Sequence, residues 1–147
     1  MTQRWTWVVL AAIFPTRLCA ALGDSLPSVE ADRVALKASI RTLAATRYTV
    51  HEIQTPEGTV VREYVSATGL VFAVQWAGNF MPNLQQTLGR YFEPYQAAVR
   101  VKRRGHSAVT IETPTLVVHS GGRQRAFFGL AYLPQAVPAG VTASELQ

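Results

Sequence analysis

Residues 59–76 read TVVREYVSATGLVFAVQW, and this stretch decides the fold. Its first half, Thr59 to Val65, is dense in β-branched residues, which favour extended backbone. Ala67-Thr68-Gly69 follows as a tight turn, with glycine able to take positive φ. Leu70 to Trp76 then alternates. Leu70, Phe72, Val74 and Trp76 are expected on one face, and Val71, Ala73 and Gln75 on the other. The first set is bulky and has to be covered by another layer.

Working outward, Tyr48 to Ile53 reads as a preceding strand, closed by the turn Pro56-Glu57-Gly58. Three strands with short turns make an antiparallel meander. Upstream, Ser28 reads as an N-cap with Glu30 and Asp32 in the first turn. Val29, Leu36, Ile40 and Leu43 form one apolar stripe, which predicts a helix from Ser28 to about Ala45. Downstream, Pro82 sits in the first turn of a second predicted helix, whose stripe is Leu84, Leu88, Tyr91 and Phe92. Gly89 weakens that helix and Pro94 should end or kink it. Residues 95–105 fit either a helix or a strand. A final hairpin is expected from Ala108 to His119 and Gln124 to Leu133, turning at Ser120-Gly121-Gly122-Arg123. Pro114 there requires an edge or a bulge.

These elements predict an α+β domain over residues 21–133. It would hold an antiparallel sheet of about five strands, the meander plus the C-terminal hairpin, packed with two helices. Residues 134–147, with two prolines, a glycine and small polar residues, are expected to form a loose tail.

The chain opens with the layout of a secretory signal peptide, expected over residues 1–20. Arg4 supplies a positive start, Trp5 to Phe14 runs without charge, and small residues follow at Ala20 and Ala21. The apolar run is short of the ~20 residues a permanent span needs. Cleavage after Ala20 is favoured over cleavage after Gly23, and either cut removes Cys19, the only cysteine. Lipid attachment at Cys19 would want small residues before it, where Arg17 and Leu18 stand. The protein is therefore expected to be exported, periplasmic or secreted, with no transmembrane segment after cleavage. The roughly 125 residues that remain suffice for one core, with no disulfide to reinforce it.

The whole chain carries a net charge of +5. Removing Arg4 and Arg17 leaves 12 basic residues against 9 acidic ones, a net +3, well below the charge density of a nucleic-acid binder. Nucleic acid is not an expected partner. The densest cationic stretch holds Arg100, Lys102, Arg103 and Arg104, a candidate docking site for an anionic component of the cell envelope. The bland reading is a solvated loop that keeps the next strand edge from pairing with other chains.

Motifs for catalysis are missing: no G-x-S-x-G, no phosphate-binding G-x-x-x-x-G-K-[ST], no G-x-G-x-x-G and no H-E-x-x-H occurs. His51-Glu52 begins the last pattern, but strand alternation sends the two side chains to opposite faces. Ser120, His119 and Glu112 contain the residue types of a hydrolase set, but His119-Ser120 is read at a hairpin turn, where serine and histidine are ordinary surface residues. Three histidines and no mature cysteine supply a zinc site poorly, so no metal, no other cofactor and no catalytic residue is assigned. The aromatic residues read first as core. Phe127 and Phe128 must point to opposite sides of their strand, so one of them can present an exposed patch. Trp76 to Pro82 reads first as a strand-to-helix corner pinned by Trp76 and Phe80, with a binding lip as the alternative.

Several segments together resemble a known family. They are Ala21-Leu22-Gly23, Glu63-Tyr64-Val65, Gly69 to Trp76 with Gly78, Met81 to Gln86, and Gly89-Arg90-Tyr91-Phe92. They are similar to the bacterial proteins grouped as domain of unknown function 2844, over nearly all of the mature chain. The resemblance implies a small exported protein and brings no activity, ligand or catalytic residue with it. The expected function is a non-enzymatic binding or interaction module of the envelope. The alternatives are a small hydrolase whose site assembles only in three dimensions, and a carrier of small apolar ligands. A cleft with convergent ionisable groups would favour the enzyme, and an enclosed apolar cavity the carrier.

Overall fold

The computed structural model describes residues 21–25, 39–102 and 108–146, the side chain of Lys102 excepted. The expected signal peptide, the greater part of the first predicted helix, Arg103 and Arg104 lie outside the described residues.

Seven strands form one fully antiparallel sheet: β1 (Ser39–Ala44), β2 (Tyr48–Gln54), β3 (Thr59–Ser66), β4 (Val71–Gly78), β5 (Val109–Glu112), β6 (Val117–Arg123) and β7 (Ala126–Tyr132). Their order is β1-β2-β3-β4-β7-β6-β5. The meander β2-β3-β4 is as the sequence predicts, with Gly58 and Gly69 at positive φ in its turns. The wider expectation of five strands and two packed helices is wrong. The chain is dominated by its sheet, with one broken helical segment over residues 84–102.

Two strands were concealed in the sequence. Residues 39–44, the predicted end of the first helix, form edge strand β1, paired with β2 from Ser39 opposite Gln54 to Ala44 opposite Thr49. Ile40 and Leu43 fit a helical stripe, but in the strand Ile40 packs on the main core while Leu43 is 39% exposed. Pairing with β2 satisfies the backbone here, and the apolar stripe is not used as one. The long strand expected from Ala108 to His119 is in fact two. Pro114 lies in a turn where the Leu116 N–H donates to Thr113 Oγ1 at 2.9 Å, and β5 and β6 pair as a hairpin around it. The next turn is also displaced. It falls at Gln124-Arg125, with Arg125 at φ 64°, and Gly121 and Gly122 are strand residues of β6.

Helix α1 (Leu84–Leu88) starts from Asn83, whose Oδ1 accepts from the Gln86 N–H at 3.2 Å. Gly89 then takes φ 51°, and a Cβ there would collide with the methyl of Ala21. A 3-10 turn (Gly89–Tyr91) leads into α2 (Phe92–Lys102). The stretch after Pro94 is therefore helical up to Lys102. Pro94 is tolerated because it sits in the first turn of α2, where its missing N–H has no intrahelical acceptor to lose.

The main core lies between the helical segment and one face of the sheet. It contains Leu22, Val71, Val74, Trp76, Leu88, Val118 and Ala131, with Tyr91, Phe92 and Tyr95 packed against it. A second cluster on the opposite face holds Tyr64, Phe72, Ala73, Leu130 and Leu146. Phe72 thus does not share a face with Val74 and Trp76, as simple alternation predicts. A bulge between β3 and β4, where Tyr64 opposes Ala73 but Val65 opposes Val71, inserts Phe72 as the extra residue and reverses the parity. Residues 134–146, expected to be loose, cover this second cluster. They carry 3-10 turns at Pro134–Ala136 and Ala143–Leu146, Leu146 is fully buried, and the Tyr64 hydroxyl donates to its carbonyl at 3.2 Å.

Candidate functional site

The helix-side face of β2 and β3 presents a row of alternating residues: His51 and Ile53 on β2, and Thr59, Val61 and Glu63 on β3. Register places His51 opposite Glu63 and Ile53 opposite Val61. Beyond β4 the chain leaves the sheet and passes over this row. Thr59 pins it, since the Thr59 hydroxyl donates to the Phe80 carbonyl at 2.9 Å and accepts from the Phe80 N–H at 3.2 Å. The result is an open cleft of about 330 Å³ between the sheet and the start of α1. Ile53, Val61 and Pro82 supply apolar wall, Glu63 lies within it, and Glu57 stands at its rim. Phe80 and Met81 form the lip and are 57% and 40% exposed.

The two ionisable groups of this row are both buried, His51 at 9% exposure and Glu63 at 3%. His51 Nδ1 and Thr42 Oγ1 are 3.3 Å apart, and burial lowers the pKa of the imidazole below its ordinary value. Neutral His51 is thus the favoured form. A carboxylate on a face otherwise built of Val61 and Val65 is the signal that sequence reading passed over. Alternation alone places Glu63 among core residues, where a charge needs partners. The corner from Trp76 to Pro82 is where the sequence expects it, but only Trp76 pins it by packing, at 1% exposure, while Phe80 is 57% exposed at the mouth of the cleft.

Other sequence candidates are not brought together. Ser120 and His119 are adjacent on β6 and face opposite sides of the sheet, Ser120 buried opposite Gly129 and His119 opposite Leu130. Glu112 is exposed on β5, so the three residues do not converge. His51 and Glu52 also part, Glu52 accepting from Arg62 Nε at 2.8 Å on the far face. Arg100 is exposed near the end of α2, where its Nη2 donates to Gln96 Oε1 at 3.1 Å, and Val101 beside it is 87% exposed. Lys102 ends the helix, and Arg103 and Arg104 lie outside the described residues. Among the described residues no group of three or more His, Cys, Asp or Glu is placed to hold a metal. No described helix is long and apolar enough to cross a membrane.

A seven-stranded antiparallel sheet with one broken helical segment and an acid-lined apolar cleft defines the class of structure. Residues 19–146 match the family described as Protein of unknown function (DUF2844), and the chain belongs to that family. No curated protein and no solved structure matches the chain.

Proposed function

We propose that this is an exported protein of the cell envelope that acts by binding, with the cleft beside α1 as its binding site. Export rests on the sequence: Arg4, the uncharged run Trp5 to Phe14, and Ala20 and Ala21 after it. The packing of Ala21 to Asp24 supports cleavage after Ala20 over cleavage after Gly23. Leu22 is fully buried, and the Gly23 N–H donates to the Val71 carbonyl at 2.8 Å, so the later cut would remove part of the core.

The observation that carries the binding reading is the lip. Phe80 and Met81 stay exposed at the mouth of an open, largely apolar cleft, although apolar side chains ordinarily gain by burial. A ligand with an apolar portion would complete that burial. The cleft is open rather than enclosed, which favours an interaction module over a carrier that sequesters its cargo.

Two measurements test the reading. N-terminal sequencing of protein from the periplasm or medium should begin at Ala21, and full-length protein in the cytoplasm would contradict export. The neutral apolar fluorophore Prodan should bind the purified protein saturably and lose that binding in the double variant Phe80→Ser, Met81→Ser. Unchanged binding in this variant would exclude the cleft.

A further inference from the structure

We propose that the cleft takes a cationic amphiphile, a small molecule whose ammonium group is directed to Glu63 and whose apolar body lies against Phe80 and Met81. Resting on the cleft as the binding site, this assigns the class of its ligand. Thr59, Val61 and Glu63 are alternate residues of β3 on the helix-side face, and Val61 is paired with Ile53 of β2. Glu63 therefore stands about 13 Å, at ordinary strand rise, from the Thr59 that pins the loop to the sheet. Ile53 and Val61 make the floor between them apolar. Glu63, 3% exposed, lies at the inner end of that floor, and Glu57, in the β2–β3 turn, is exposed at the outer end.

The sign of this charge is local. The chain as a whole carries +5, yet the described lining of the cleft holds these two glutamates and no lysine, arginine or histidine. Arg62, next to Glu63 along β3, is on the other face of the sheet, where it pairs with Glu52. A carboxylate on an apolar wall interacts with an opposite charge more strongly than one in open water. Glu63 already has a partner within the fold. An ionised carboxylate offers about four acceptor sites, so a ligand ammonium adds to that partner rather than replacing it.

Repulsion sharpens the choice. An anion would meet two like charges, and a purely apolar ligand would cover Glu63 with hydrocarbon and supply no donor. At the mouth, the ring of Phe80 and the thioether of Met81 pack an apolar body of varied shape. The volume of about 330 Å³ is at the small end of ligand sites, which run from roughly 300 to 1,000 Å³.

Fluorescence titration of the purified protein with three dansyl probes, at neutral pH and low salt, tests the proposal. Dansylcadaverine carries an ammonium, its N-acetyl derivative is neutral, and dansyl-ε-aminocaproate carries a carboxylate, all on the same ring system. The cation is expected to bind about tenfold or more tighter than the neutral probe, and the anion weakest. Glu63→Gln should remove most of the difference between cation and neutral probe. Glu57→Gln should remove a smaller part, because that residue is exposed. Amide spectra of the ¹⁵N-labelled wild-type protein locate the ammonium without a variant, since shifts at residues 62–64 should be larger with dansylcadaverine than with its N-acetyl derivative. Equal affinities for the three probes, with binding still lost in the Phe80→Ser, Met81→Ser double variant, would overturn the cation preference and leave the cleft as a binding site. No saturable binding of any probe would overturn both readings. A full cation preference in Glu63→Gln, or equal shifts at residues 62–64, would overturn the assignment to Glu63.

Discussion

Trp76 and Gly129 face each other across the β4–β7 pairing, and a Cβ on Gly129 would clash with Cζ2 and Cε2 of the indole. The indole occupies the space over β7 that residue 129 leaves free by having no side chain. Trp76 is 1% exposed, and its Nε1 has no hydrogen-bond partner among the described residues. Its place is therefore set by shape, at the junction that joins the two halves of the sheet.

Gly129→Ala is expected to destabilise the protein by about 1–3 kcal/mol, the usual cost of overpacking a filled core. Chemical denaturation measures it. In a Trp76→Leu background the same substitution should cost much less, because the overlapping ring is gone, and a double-mutant cycle reads the coupling. Full additivity would show that the indole does not occupy this space.

Leu88, fully buried at the end of α1, anchors the helical segment to the main core. Leu88→Ala is expected to cost roughly 2–5 kcal/mol. An unchanged denaturation midpoint would place that side chain elsewhere.

The C-terminal residues are predicted to contribute to stability. Leu146→Ala should cost about 2–5 kcal/mol through the cavity it leaves beside Tyr64 and Phe72. Tyr64→Phe should cost about 0.5–1.5 kcal/mol through the hydrogen bond to the Leu146 carbonyl. Thermal melts of the two variants separate the contributions, and wild-type melting of both would mean that the segment does not hold the second cluster.

Stability should fall in mild acid, with His51 as one contributor. Burial holds its pKa below the ordinary 6.5, so the folded chain binds this proton less readily than the unfolded chain. The stabilisation associated with neutral His51 is therefore complete above pH 6.5. It is lost as the pH drops from there through the lower folded-state value. Glu63 faces His51 across the strands, and Thr42 lies against its Nδ1. His51→Gln should flatten this part of the stability profile measured by denaturation between neutral pH and pH 5, and an unaltered slope would remove His51 as its cause.

The meander β2-β3-β4 was legible because its signals are local. β-Branched runs, alternation, and turns containing Gly58 and Gly69 each act within a few residues. The corner after β4 was legible for a similar reason, since proline and glycine mark a corner wherever the chain goes next, but the exposure of Phe80 there was not. Opposite faces for Phe127 and Phe128 follow from strand geometry alone, whereas Ser120, read as a turn residue, proves to lie in β6 beside His119. Local signals thus carried the central strands, their turns, the partition of Phe127 and Phe128, and membership of the DUF2844 family.

The remaining features depend on contacts between segments far apart in the chain. Ile40 and Leu43, three positions apart, share a face only in a helix, and an available edge on β2 overrides that local spacing to make 39–44 a strand. Pro114 marks a break but not its kind, and the hairpin it forms depends on β6 pairing with β7. Phe72 changes face through a bulge fixed by the register of two strands, which no single-strand periodicity contains. The tail has the composition of a loop, and it becomes ordered because Tyr64, Phe72 and Leu130 leave an apolar surface that Leu146 can cover. The cleft likewise exists only where the loop after β4 crosses β3, pinned by Thr59, a residue twenty-one positions away from Phe80. Contacts at such separation gain their energy from burial and pairing between distant segments, and local sequence does not encode which segments will meet.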